Sequence, residues 1–90
     1  MYEVSTGVRS TRNEDGGIVL DIDQGKIFRL NEIGALILER VRQRQAKTQI
    51  VMEVSREFKI SAQRVEVDVT EFLESLQRWG LLQVRARNCL

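Results

Sequence analysis

Seven consecutive residues, Gly25-Lys26-Ile27-Phe28-Arg29-Leu30-Asn31, restrict the folds open to this chain more than any other stretch. Gly25 ends a turn, the next five residues have the branched and aromatic character of a strand, and Asn31 is a good helix N-cap. The chain therefore leaves a hairpin, makes a short strand and enters a helix without a linker. A small antiparallel meander that ends on such a strand leaves it at the sheet edge, with backbone N–H and C=O groups unpaired.

The flanking sequence supplies the rest of the meander. Val4, Thr6, Val8 and Ser10 alternate weakly over residues 4–12, and Asp15-Gly16-Gly17 reads as a turn. Ile18, Leu20 and Ile22 alternate with Val19, Asp21 and Asp23 in a period of two, which puts the three large aliphatic residues inward and the carboxylates on the solvated side. Asp23-Gln24-Gly25 is a second turn, and Phe28 and Leu30 continue the inward pattern.

Three helices follow. Ile33, Leu36, Ile37 and Val41 give the first, to about residue 44, with Glu32 favourable in its first turn. After the polar link Gln43 to Lys47, Thr48 is expected to cap a second helix carrying Ile50, Val51, Val54 and Phe58 on one face. Lys59-Ile60 is a tight connection and Ser61 caps the third, whose stripe is Val65, Val69, Phe72, Leu73 and Leu76 and which stops at Gly80 in the C′ position. Leu81 to Val84 pack or add a short extension. The expectation is a single α+β domain over residues 1–90, a three-stranded antiparallel sheet followed by three helices. Phe28, Leu30, Leu36, Ile37, Val54, Phe58, Val69, Phe72 and Leu76 should form its core.

Composition removes several function classes. Fourteen basic and 13 acidic side chains leave a net charge of +1, without the basic excess that drives non-specific nucleic-acid binding. Histidine is absent, which removes the commonest general base and metal ligand, and Cys89 is the one cysteine, expected to be an inert thiol near a frayed C-terminus. No catalyst and no cofactor are expected. No apolar run is long enough for a bilayer, and Met1-Tyr2-Glu3-Val4 has neither the charge nor the apolar core of a signal peptide, so the expected location is the cytoplasm. Asp21-Ile22-Asp23-Gln24-Gly25 with Glu32 is a poor calcium loop, because the glycine comes one position early and the flanks are strands.

Two helices joined at Lys59-Ile60-Ser61 beside a hairpin suggest a winged helix-turn-helix. A DNA reader would present basic or amide side chains on the second helix of that pair. Here Glu66, Asp68, Glu71 and Glu74 stand against Arg64 and Arg78, a net of −2, while Arg40, Arg42, Arg44 and Lys47 gather at the end of the first helix. Asp68, Ser75 and Trp79 fall along one border of the apolar stripe, and Val67 points away from it. Trp79 either plugs the bottom of the core or lines a groove against the third strand.

The order of these features resembles the PqqD-like family. The hairpin is followed by Gly25 to Asn31 and Ile33-Gly34-Ala35. Asp68-Val69 comes next with Phe72-Leu73 and Leu76, and Gly80-Leu81-Leu82 closes the series. The likeness runs over roughly residues 4–84. It implies a winged helix-turn-helix-like fold that recognises the leader of a ribosomally made, modified peptide. The leader would add as a strand on the third strand, lie against the third helix and be presented to a partner enzyme. In this family that partner is a radical-SAM enzyme in PQQ synthesis or a leader protease in lasso-peptide synthesis. The residues implied in peptide binding are Lys26, Ile27, Phe28, Arg29, Leu30, Val65, Asp68, Val69, Phe72, Ser75, Leu76 and Trp79. The basic Arg40 to Lys47 stretch replaces the acidic-glycine turn of many members. A winged-helix DNA-binding regulator and a module that oligomerises through strand edges are the alternatives. Which parity of the third strand faces the peptide is open at this level.

Overall fold

The computed structural model describes residues 2–84; the expectation for Cys89 lies outside them. In chain order the elements are β1 (Tyr2–Val4), β2 (Val8–Asn13), β3 (Gly16–Asp21), β4 (Lys26–Leu30), α1 (Glu32–Arg42), α2 (Lys47–Phe58), α3 (Ala62–Arg78) and β5 (Leu82–Val84). β2, β3 and β4 form the expected antiparallel meander, and β1 pairs with β5 in a separate two-stranded ladder. The weak strand expected over 4–12 is thus two strands, divided where Gly7 takes a left-handed φ of 84° that a side chain would resist.

The first hairpin turns at Glu14-Asp15, one residue before the expected position, with Asn13 Oδ1 accepting the Asp15 N–H at 2.9 Å. Gly16 and Gly17 already belong to β3. A Cβ on Gly16 would lie 2.0 Å from the Leu30 carbonyl oxygen, so only glycine lets β3 pass there.

The inward side of β3 is the reverse of the one hydrophobicity suggests. Val19 and Asp21 are buried, whereas Ile18, Leu20 and Ile22 are 42%, 38% and 54% exposed. Two contacts fix this face. Gly17 sits so near α1 that an added Cβ would come within 3.1 Å of Ala35 Cβ. Asp21 turns its carboxylate into the β3–β4 turn, where Oδ1 accepts the Gln24 backbone N–H at 3.1 Å and Oδ2 accepts Gln24 Nε2 at 2.7 Å. A solvated role for Asp21 is therefore corrected, while Asp23 is exposed.

Asn31 Oδ1 accepts the Gly34 N–H at 2.7 Å, as its N-cap role requires. α2 starts two residues earlier than expected: Ala46 is the N-cap, with no side-chain bond, and Thr48 lies inside the helix. Ser61 Oγ caps α3 through the Arg64 N–H. At its end Gly80 (φ 78°) closes the helix, with Gly80 N–H donating to Gln77 O at 3.0 Å and Leu81 N–H to Leu76 O at 2.9 Å.

One core lies between the inner sheet face and the helices, built on Val19, Leu36, Ile37, Val41, Ile50, Val54, Val65, Val69, Leu73, Leu76 and Leu81. Of the expected core, Leu36, Ile37, Val54, Val69 and Leu76 are buried, and Phe28, Leu30, Phe58 and Phe72 are half-buried against it.

Candidate functional site: an open sheet edge beside α3

The strand order β2-β3-β4 gives the sheet two edges. Which backbone groups point off each edge follows from the ladder. The Ile22 N–H donates to Gly7 O at 3.0 Å, which sets the hydrogen-bonding phase between β2 and β3. Antiparallel pairs alternate between bonded and non-bonded, and the register runs without a bulge, so Ile18 and Leu20 direct their backbone groups at β2. Val19 and Asp21 then bond toward β4, where they meet Phe28 and Lys26. The N–H and C=O groups of Ile27 and Arg29 therefore point away from the sheet, and among the described residues nothing pairs with them. Within β4 itself the geometry picks out one parity.

The side chains of β4 alternate accordingly. Phe28 and Leu30 turn inward, half-buried, and Ile27 (69% exposed) and Arg29 turn to the outer face. Phe28 stacks on Trp79 with ring centroids 5.1 Å apart and planes 16° from parallel, tying the end of α3 to β4. Trp79 remains 39% exposed, so it borders the edge instead of plugging the core. Gln24 Nε2 reaches the Trp79 carbonyl oxygen at 3.4 Å, a second tie at the same end.

Farther along, a cleft of about 320 Å³ opens between the start of α1 and α3, lined by Asn31, Ile33, Gly34, Ile37, Asp68 and Phe72. Gly34 is needed there: a Cβ would press on Phe72 Cε1 at 3.3 Å and on Asn31 Oδ1 at 3.2 Å. Asp68 is exposed and Phe72 and Ser75 are half-buried; Asp68 and Phe72 line the cleft, and of this side of α3 it is Trp79 that lies against β4, through Phe28. Val65, Val69 and Leu76 are 2%, 0% and 0% exposed. These three cannot touch a surface ligand directly; they hold α3 in place. Conversely, Asn31, Ile33, Gly34 and Ile37 line the cleft without figuring in the expected set. The Asn31 cap beside an apolar Ile33 was the available signal, since a helix that starts at a sheet edge puts its first turn beside that edge.

Among the described residues no cluster of His, Cys, Asp or Glu could hold a metal, and no helix is long and apolar enough to cross a membrane. The arrangement offers two backbone N–H and C=O pairs in strand spacing, a flanking helix and a cleft lined by both apolar and polar side chains. It can pair with an extended segment.

Fold and site together define a winged helix-turn-helix-like domain with an open sheet edge backed by a helix. The family model of Coenzyme PQQ synthesis protein D (PqqD) matches residues 16–82, and the chain belongs to this family. Among solved structures it is similar to TbiB1 in complex with the TbiA(beta) leader peptide, at 26% identity and a TM-score of 0.84 over 93% of this chain and 98% of that one. A lasso peptide synthetase B1 complexed with the leader peptide aligns at 19% identity and a TM-score of 0.83, over 92% of this chain and 98% of that one. The PqqD truncation of Methylobacterium extorquens PqqCD, described as a functional, stand-alone RiPP recognition element, aligns at 20% identity and a TM-score of 0.77, over 92% of this chain and 88% of that one. At these identities the last two speak to the fold alone. No curated protein matches the chain by sequence.

Proposed function

We propose that this chain is a non-catalytic, cytoplasmic recognition domain that binds the leader of a ribosomally made precursor peptide and presents it to a modifying or processing enzyme. The leader adds to β4 as a fourth strand. Its backbone pairs with Ile27 and Arg29, and alternate side chains lie over Phe28, Asp68, Phe72, Ser75 and Trp79, while Val65, Val69 and Leu76 hold the backing helix. Lys26 and Leu30 mark the two ends of the strand. The observation that carries the reading is the unpaired backbone of Ile27 and Arg29 on an edge strand whose end opens into a cleft against α3, the geometry that β-strand addition uses. The resemblance to TbiB1, whose structure holds a leader peptide, supports it. The partner enzyme is a leader protease or a radical-SAM enzyme. A DNA-binding role is disfavoured by the exposed Glu66, Asp68, Glu71 and Glu74 on α3, which phosphates would meet.

Amide hydrogen exchange tests this with the leader segment of the cognate precursor peptide. Saturating peptide should slow exchange at Ile27 and Arg29 by at least about tenfold, because both N–H groups become bonded. Slowed exchange elsewhere, with both amides unchanged, would refute strand addition at β4.

A further inference from the structure

The slot beside β4 differs in charge on its two sides. Arg29 stands on the outer face, and across the sheet its row continues through Ile18 and Thr11. The next row runs Ile27, Leu20, Arg9. These two rows contain two arginines, Thr11 and apolar residues, and no carboxylate. On the α3 side Lys26 stands at the start of β4, and the cleft that opens past its end at Asn31 has Asp68 as its charged lining residue. Among the described residues neither the Arg29 side chain nor that of Asp68 has an ion-pair or hydrogen-bond partner. Each charge is free to be met by a ligand.

A strand added to β4 has to respond to both sides at once. Its residues directly opposite Ile27 and Arg29 send their side chains to the outer face, and the residues between them point toward α3. We propose, resting on the leader-binding reading, that the peptide taken by this slot carries opposite charges on its two faces. Asp or Glu lies outward beside Arg29, and Lys or Arg lies on the α3 side beside Asp68. Because the two faces alternate, the acid and the base are separated by an odd number of positions along the peptide. Rim charges of this kind select among partners and set the encounter rate more than they add affinity.

A displayed library of random twelve-residue peptides, selected on the intact chain, tests the proposal whatever the natural ligand is. Selected peptides should alternate with a period of two and carry an acid and a base at odd separation. Reversing either charge should then lower affinity about three- to tenfold, in the range of exposed pairs turned from attraction to repulsion. Repeating the selection on Arg29→Glu should replace the acid by Lys or Arg and leave the base. Asp68→Lys should replace the base and leave the acid. Arg29→Lys should select as the wild type does, and circular dichroism checks that each variant is folded. Alternating peptides whose charges ignore Arg29→Glu and Asp68→Lys, or fall at even separations, overturn this inference and leave strand addition standing. Selection of no alternating peptide at all removes both.

Discussion

β2 and β4 border the same sheet, and each presents a row of outward backbone groups, yet the molecule treats them differently. On β2 those groups belong to Val8, Ser10 and Arg12. The Val8 carbonyl oxygen accepts Arg42 Nη2 at 2.7 Å, its N–H donates to Ser5 O at 3.3 Å, and Arg42 Nε donates to Ser10 Oγ at 3.1 Å. Arg12 is drawn back onto α1 by a 2.9 Å ion pair with Glu39. On β4 the outward groups of Ile27 and Arg29 meet no such cover among the described residues. An exposed edge invites uncontrolled pairing, and proteins usually blunt it with charge, a turn or a covering element. Here one edge is covered at Val8 and flanked by the Arg42 and Arg12 side chains, and the other is left open next to a helix, which argues that the second opening has a use.

The largest expected effect concerns what backs the open edge. Leu76→Ala removes a fully buried side chain from the anchored face of α3 and should cost about 2–5 kcal/mol in urea denaturation. A cost below about 1 kcal/mol would show that α3 is not fixed to the core at this point. Proline then separates the two edges directly, because it removes an N–H where a bound strand needs one. Arg29→Pro should weaken leader binding by about thirtyfold or more, and Arg29→Ala, which keeps the N–H, by a few fold. Ser10→Pro, at the equivalent outward position of β2, should leave affinity within about twofold. Equal losses at the two edges would erase the distinction.

Smaller effects sharpen it. Arg42→Ala uncovers the Val8 carbonyl and should cost about 1–3 kcal/mol, the range for a lost charged hydrogen bond. Sedimentation should also show it pairing with itself through β2 at concentrations where the wild-type chain does not. Replacing Glu71 and Glu74 with Lys, both exposed on α3, should slow leader association by a few fold in stopped-flow mixing while the fold survives. Faster association would mean that this rim does not face the incoming peptide.

Much of this arrangement was legible from sequence because it is local. The Asn31 cap, the αL glycine at Gly80, the Ser61 cap and the β4 strand each leave a signal within a few residues. What escaped was set by neighbours distant in the chain. Ile18 and Leu20 are larger and more apolar than Gly17 and Val19, so transfer energy alone selects the wrong face of β3. The approach of Ala35 and the Asp21–Gln24 bonds decide otherwise. The pairing of β1 with β5 joins segments about eighty residues apart, and three-residue strands carry little periodicity to announce it. Within the site, the β4 residues were readable and their parity was not, since parity depends on how β2 bonds to β3. Val65, Val69 and Leu76 share a stripe with residues that border the cleft, and only packing tells support from surface.

That ladder between β1 and β5 also governs how the molecule responds to force. Tyr2 lies opposite Val84, so the described chain enters and leaves side by side. Tension applied at those two residues peels the strands apart one pair after another, like a zip fastener, instead of shearing all the pairs together. The meander and helices feel no pull until the fastener has opened. The same adjacency suits insertion, since neighbouring ends allow a domain to be spliced into a surface loop of a longer protein with little distortion.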